Sequence, residues 1–363
     1  MRFRAPGEHE AEERTWAVVR RAYAEREPVA WPRRHARPLV AAAVVGAVIA
    51  AALSPPGRSV VRSLRESVGI ERAEPALFSL PSPGQLLVTS RRGAWLVHRD
   101  GSKRLLGHYR DASFSPHGLF VAATRANQLV VLDPKGGVRW TLARPGPRFP
   151  AWTGSRTDTR IAYVAGGRLR VVAGDGTGDR VIGRAAPVAP AWRPGPGRVL
   201  AYSDGRQAVV VETDSGAVLL RTAEPPAKLA WSDDGRLLLA FRPFGLRVYD
   251  RRGRVVLQDD PSDVTHDSDA AFAPGTGELM VIRVHGLQSD VFAGRSGQTV
   301  YRGTGVFDQL AFSPNGRWLL VSWPTANQWV FVRLGGARHI VGASRISAQF
   351  GGYPRVASWC CGR

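Results

Sequence analysis

The sequence predicts an all-β fold: a seven-bladed β-propeller preceded by one N-terminal transmembrane helix, with six or eight blades as the alternatives. Three observations carry this. An aromatic residue recurs every 38–41 positions through the last three quarters of the chain. Gly (40 residues) and Pro (26) are abundant, as a fold with many tight turns requires. One stretch, 38–57, contains no charged residue at all.

The repeat is the strongest of the three. Its anchors are Phe114, Trp152, Trp192, Trp231, Phe272, Phe312 and Phe350, spaced by 38, 40, 39, 41, 40 and 38 residues. Ala or another small residue precedes most of them. A turn and then an apolar strand follow, as in Phe114-Ser115-Pro116-His117-Gly118, Trp231-Ser232-Asp233-Asp234-Gly235 and Phe312-Ser313-Pro314-Asn315-Gly316. Pro presets φ within such a turn and Gly takes the permissive φ that closes it. A period near 40 with four short strands per unit is that of a propeller blade. A sheet this small cannot bury its faces alone, so the blades stack radially, with the anchors between neighbours.

Within the blade that starts at Trp231, 246–249 is the third strand, 250–253 a turn and 254–258 the outer strand. Asp100-Gly101 and Asp133 to Gly136 mark the same turn in other blades. Three strands at 85–90, 94–98 and 103–106 lack an anchor before them, and the anchor at Phe350 lacks a blade after it. The two ends are therefore expected to share one blade, which removes the sheet edges at the seam. Residues 355–361 are expected to add to that blade, displacing or extending a strand.

The Phe-Ser-Pro-x-Gly turns at 114–118 and 312–316, with Asp100-Gly101-Ser102 and Arg104-Leu105, resemble the WD40-like repeats of TolB-type propellers. The resemblance covers about residues 84–361. It departs from true WD40 repeats, because no Trp-Asp dipeptide occurs and Gly-His occurs once, at Gly107-His108. It implies an extracytoplasmic platform for protein interaction in a bacterial cell envelope.

The uncharged stretch 38–57 is long enough to cross a bilayer as a helix. With a largely polar stretch of 37 residues before it, it reads as an uncleaved signal anchor; a cleaved signal peptide and a buried soluble helix are the alternatives. Arg33, Arg34 and Arg37 precede it and Arg58, Arg62 and Arg65 follow, so charge alone favours a cytoplasmic N-terminus only weakly. The large domain downstream decides for export. The organisation expected is a cytoplasmic stub (1–37), the span (38–57), a juxtamembrane helix and linker (58–83) and the propeller (84–363). In the stub, Trp16, Val19 and Tyr23 share one helical face, which suits a cytoplasmic partner, the inner membrane surface or neither.

Composition excludes some functions. Lys plus Arg total 50 against 30 Asp plus Glu, and only Lys103, Lys135 and Lys228 are lysines. Such an Arg-rich, Lys-poor chain fits a GC-rich genome; the charge otherwise points to an anionic envelope polymer or lipid. The cations form no block or helical stripe, which argues against a nucleic-acid partner. No Gly-x-Ser-x-Gly, His-Glu-x-x-His, EF-hand or P-loop motif occurs. The Gly174 to Asp179 run has the look of a phosphate or calcium loop but reads as a surface turn. No catalytic residue and no cofactor is assigned.

One stretch stands out. Asp259, Asp260, Asp263, Asp267 and Asp269 surround His266 in the connection between two blades. Asp263, His266, Asp267 and Asp269 are weak candidates for a divalent cation, and a solvated loop is the plainer reading. Equivalent connections carry His108, Tyr109, Arg110 and Asp111, then Arg148, then Phe307 and Asp308. With His266 and Asp267, these form the expected binding face. Cys360 and Cys361 are vicinal: a strained bond between them, pairing with another chain and two free thiols all stay open.

The expected function is a membrane-anchored, extracytoplasmic, non-catalytic protein-binding or scaffolding module. The alternatives are a transmembrane signalling protein of anti-sigma type, although the stub lacks a His-x₃-Cys-x₂-Cys zinc motif, and an enzyme with its site near His266.

Overall fold

The computed structural model describes residues 79–361, apart from 156–157, 196, 263 and 338. Its strands form seven antiparallel four-stranded sheets. Six are consecutive up-and-down meanders: 111–143, 148–184, 191–221, 228–259, 265–304 and 309–344, here blades 2 to 7. Blade 1 is composite. Gln85–Ser90, Gly93–Val97 and Lys103–Gly107 come from the start of the ring, and the inner strand Arg355–Cys360 comes from its end. The count is seven, and both ends share one blade. The expected stub (1–37), the span (38–57) and nearly all of the linker (58–83) lie outside the described residues. Among the described residues, no helix is long and apolar enough to cross a membrane.

Five anchors, Phe114, Trp192, Trp231, Phe272 and Phe312, end their inner strands, while Trp152 stands two residues before the end of Arg148–Gly154. Phe114 lies opposite Val121, Trp231 opposite Leu238, and Phe312 opposite Leu319. The turns behind them close as their residues dictate. The carbonyls of Ser115, Ser232 and Ser313 accept the N–H of Gly118, Gly235 and Gly316 at 2.8–2.9 Å. Each Ser Oγ accepts a second N–H, from Phe120, Leu237 and Trp318, at 2.9–3.0 Å. The three glycines have φ of +62° to +68°, the left-handed region that favours glycine.

The seventh anchor is a correction. Phe350 ends a short α-helix, Ile346–Phe350, in the connection from blade 7 to blade 1. Gly351, with φ +67°, caps that helix instead of closing a strand turn. The inner strand comes later, and Trp359 lies opposite Leu86 in the anchor register. Phe350 still packs between blades. It is fully buried, edge-on to Trp95 at 5.7 Å and 5.4 Å from Trp329.

Apolar side chains gather in seven clusters, one at each blade interface. Strand alternation produces them. In blade 5, Leu238 and Ala240 face blade 4, while Leu239 and Phe241 face blade 6. The core is therefore distributed around the ring, and each blade depends on both neighbours.

Candidate functional site

A meander sends its chain ends to fixed faces. The connections between blades and the middle hairpin turns lie on one face, here the connection face. The anchor turns and outer hairpin turns lie on the other. The chain enters the ring on the anchor-turn face, where Leu80 donates its N–H to the Arg99 carbonyl at 2.9 Å. The expected binding residues lie on the connection face or just inside its central mouth.

His108 and Arg110 are exposed there. Tyr109 and Phe307 are not: they are 7 % and 0 % exposed, and pack into the cores between blades 1 and 2 and blades 6 and 7. They support the face from beneath. Burial pushes the Tyr109 hydroxyl pKa up. Phe307 stacks on Tyr301 at 5.5 Å and meets Trp323 edge-on at 5.2 Å. His266 is half-buried, its ring 6.3 Å from that of Phe244.

The acidic residues are engaged. Asp267 is fully buried and accepts from Arg283 Nε at 2.9 Å, while the Arg283 Nη2 also reaches Asp259 at 2.7 Å. Burial raises the Asp267 pKa, and the Arg283 guanidinium offsets only part of that rise. Asp269 takes Lys228 Nζ at 2.6 Å and the Leu310 N–H at 2.8 Å. Asp308 is half-buried with its Oδ1 unpartnered; burial raises its pKa against the pull of Ser322 and Arg355. Of the metal candidates, Asp263 lies outside the described residues. Among the described residues, no group of three His, Cys, Asp or Glu is placed to hold a metal ion.

Asp269 belongs to a belt that sequence reasoning missed. Asp111, Lys228, Asp269 and Gln309 each stand three residues before an anchor, and each reaches the next blade. Asp111 Oδ2 accepts Arg148 Nε at 2.6 Å and the Phe149 N–H at 3.2 Å. Lys228 Nζ donates to the Ala270 carbonyl at 2.9 Å. Gln309 Oε1 accepts the Val356 N–H at 3.0 Å. Arg148 also lies over the Phe149 ring at 4.3 Å. The anchors contribute as well: the Trp192 and Trp231 indoles donate to the carbonyls of Ala151 and Ala191, one blade back, at 3.0 and 3.1 Å. The recurring polar residue at that register position was the available signal.

Two other sequence features resolve. Gly174 to Gly178 is a turn between strands, in which Asp175 accepts the Thr177 N–H at 2.9 Å. Asp179 beyond it accepts Tyr163 Oη at 2.6 Å, Arg170 Nε at 3.0 Å and Arg144 Nε at 2.8 Å. Burial alone would raise the Asp179 pKa, but Arg170, Tyr163 and Arg144 together hold it below the usual range. Cys360 and Cys361 are joined in a vicinal disulfide. They hold the two places after Trp359 that Ser115 and Pro116 hold after Phe114.

No protein-family model matches the chain, and no curated protein sequence matches it. Solved structures do. A chain of the Mitotic Checkpoint Complex is 12% identical with a TM-score of 0.51, covering 75% of this chain and 83% of that one. The β-propeller domain of Cps50 (Swd1) from Myceliophteria thermophila is 17% identical with a TM-score of 0.50, covering 65% and 86%. Hsv2 of Kluyvelomyces marxianus is 13% identical with a TM-score of 0.52, covering 73% and 98%. At these identities the likeness is one of fold, and the chain is a seven-bladed propeller.

Proposed function

We propose that this protein is a single-pass, membrane-tethered propeller of the bacterial cell envelope, exported beyond the cytoplasmic membrane, where it binds a protein partner without catalysis. The observation that carries the reading is the connection face. The middle turns and connections of all seven blades lie there, on a ring closed by the strand Arg355–Cys360. The carboxylates that could have served acid–base or metal chemistry near His266 are held by Arg283 and Lys228, which leaves the face suited to contact and not to reaction. The uncharged stretch 38–57 supports the tether.

The test is site-specific photo-crosslinking in living cells, with the probe at His108 on the connection face and, as control, at Arg252 on the other. A discrete protein adduct from His108 alone is the expected result. Equal or absent adducts at both positions overturn the reading. Proteolysis of intact spheroplasts checks the topology: full protection of the propeller overturns export.

A further inference from the structure

Two features of the connection face are left over once its ion pairs are made. The first is apolar. Val264, Leu287 and Phe244 are the most exposed large apolar side chains among the described residues, at 83 %, 82 % and 69 %. They converge at the junction of blades 5 and 6. Phe244 tops the middle turn of blade 5, beside His266. Val264 precedes Thr265, which pairs with His285 in the strand that leads to the Leu287 turn. Backbone bonds hold the turns of Phe244 and Leu287. The Asp267 N–H donates to the Pro243 carbonyl at 2.8 Å, and the Gly305 N–H to the Leu287 carbonyl at 2.6 Å. A patch already ordered in the free protein loses little entropy on binding.

The second feature is cationic. Arg91, Arg92, Arg110, Arg168, Arg206 and Arg345 are exposed on the connection ends of blades 7 and 1 to 4. None of them appears in an ion pair among the described residues. Most carboxylates towards the same face are already used: Asp111 by Arg148, Glu224 by Arg242, Asp260 by Arg247, and Asp290 by Arg302, while Asp308 is half-buried. The face therefore presents an arc of unneutralised guanidinium groups around one side of its mouth and an apolar spot on the other.

We propose that this face takes an acidic segment of a partner protein that carries an apolar side chain. The inference rests on the protein-binding reading and names the chemistry of the partner. Charge complementarity calls for carboxylates, which pair bidentately with Arg. The Phe244, Val264 and Leu287 spot calls for an aromatic or aliphatic anchor, the residue type that carries most interface energy. A nucleic acid would leave that spot unused, since a single exposed phenyl ring is no stacking platform.

The experiment uses the full chain in non-ionic detergent micelles and fluorescein-labelled peptides read by anisotropy. One Glu-rich peptide carries a central Phe-Leu pair and a second, of equal charge, carries Ala-Ala. Phosphatidylglycerol vesicles and a poly-dT oligonucleotide are the other probes. The Phe-Leu peptide is expected to bind ~10-fold or more tightly than the Ala-Ala peptide, the span of a strong interface anchor. Affinity is expected to fall with added salt, as exposed charge pairs require. Phe244→Ala with Leu287→Ser, and separately Arg110→Glu with Arg206→Glu, should each remove most of the binding with unchanged melting temperature. Equal binding of the Ala-Ala peptide, the vesicles or the oligonucleotide, or unchanged affinity in either double variant, overturns the proposal. A His108 adduct obtained in cells alongside such a failure keeps the protein-binding reading and discards only the acidic partner.

Discussion

Trp359 lies opposite Leu86 in the register that Phe312 holds against Leu319 one blade earlier. The last inner strand thus completes the first blade by the same rule that builds the others. Trp359 is 7 % exposed and meets Phe331 edge-on at 5.7 Å. Trp359→Ala is expected to cost about 3–5 kcal/mol, the range for deleting a buried aromatic side chain. Urea unfolding of the full chain measures it.

The anchor turns press on the blade before them. A Cβ on Gly316 would stand 2.6 Å from the Pro274 carbonyl, at a φ of +68° that side-chain-bearing residues rarely adopt. Gly316→Ala is expected to destabilise by about 1–3 kcal/mol. Gly146, also at positive φ but with nothing within 4 Å, is the control: Gly146→Ala should cost visibly less. The two melting curves decide it.

The belt at the inner strands should be measurable at Asp269. Removing its carboxylate leaves the Leu310 N–H without its acceptor and Lys228 with the Ala270 carbonyl but no counter-charge. Asp269→Ala is expected to cost about 1.5–3 kcal/mol, the range for hydrogen bonds to charged groups. Asp269→Asn, which keeps one acceptor oxygen, should cost less. Equal effects of the two would show that the charge alone matters.

Asp308 and Asp179 should answer acid in opposite senses. Burial raises the Asp308 pKa, so the folded protein favours its protonated form. Its ionisation lowers stability at neutral pH, and this cost disappears as pH falls through the folded value. Asp308→Asn is therefore expected to raise the melting temperature at pH 7, with a gain that shrinks on acidification. The Asp179 pKa is depressed. Its contribution is complete above the ordinary Asp value of about 3.9 and is lost as pH falls from there through the folded value. Melting from pH 6 to pH 2.5 should show a smaller acid-induced loss in Asp179→Asn than in the parent.

The ring was legible because six aromatic anchors keep one period and their turns carry Ser, Pro and Gly where the backbone needs them. The seventh was misread for a physical reason. Ala348-Gln349-Phe350-Gly351-Gly352 has the composition of a strand-ending turn, but its Gly caps a helix. The candidate site was legible only as a cluster of charges. Nothing local shows that Arg283 neutralises Asp267 or that Lys228 reaches across to Asp269, because the ring brings those residues together. Phe244, Val264 and Leu287 are single apolar residues in separate turns, and no periodicity announces them.

The composite first blade also sets the order of events during synthesis. Its three outer strands leave the ribosome first and its inner strand last, so Gln85–Ser90 waits with one open edge for nearly the whole ring to be made. A product ended early by even the last six-residue strand, Arg355–Cys360, keeps that edge exposed, and exposed edges recruit other chains or invite degradation. Closure of the seam therefore requires that synthesis has passed residue 360.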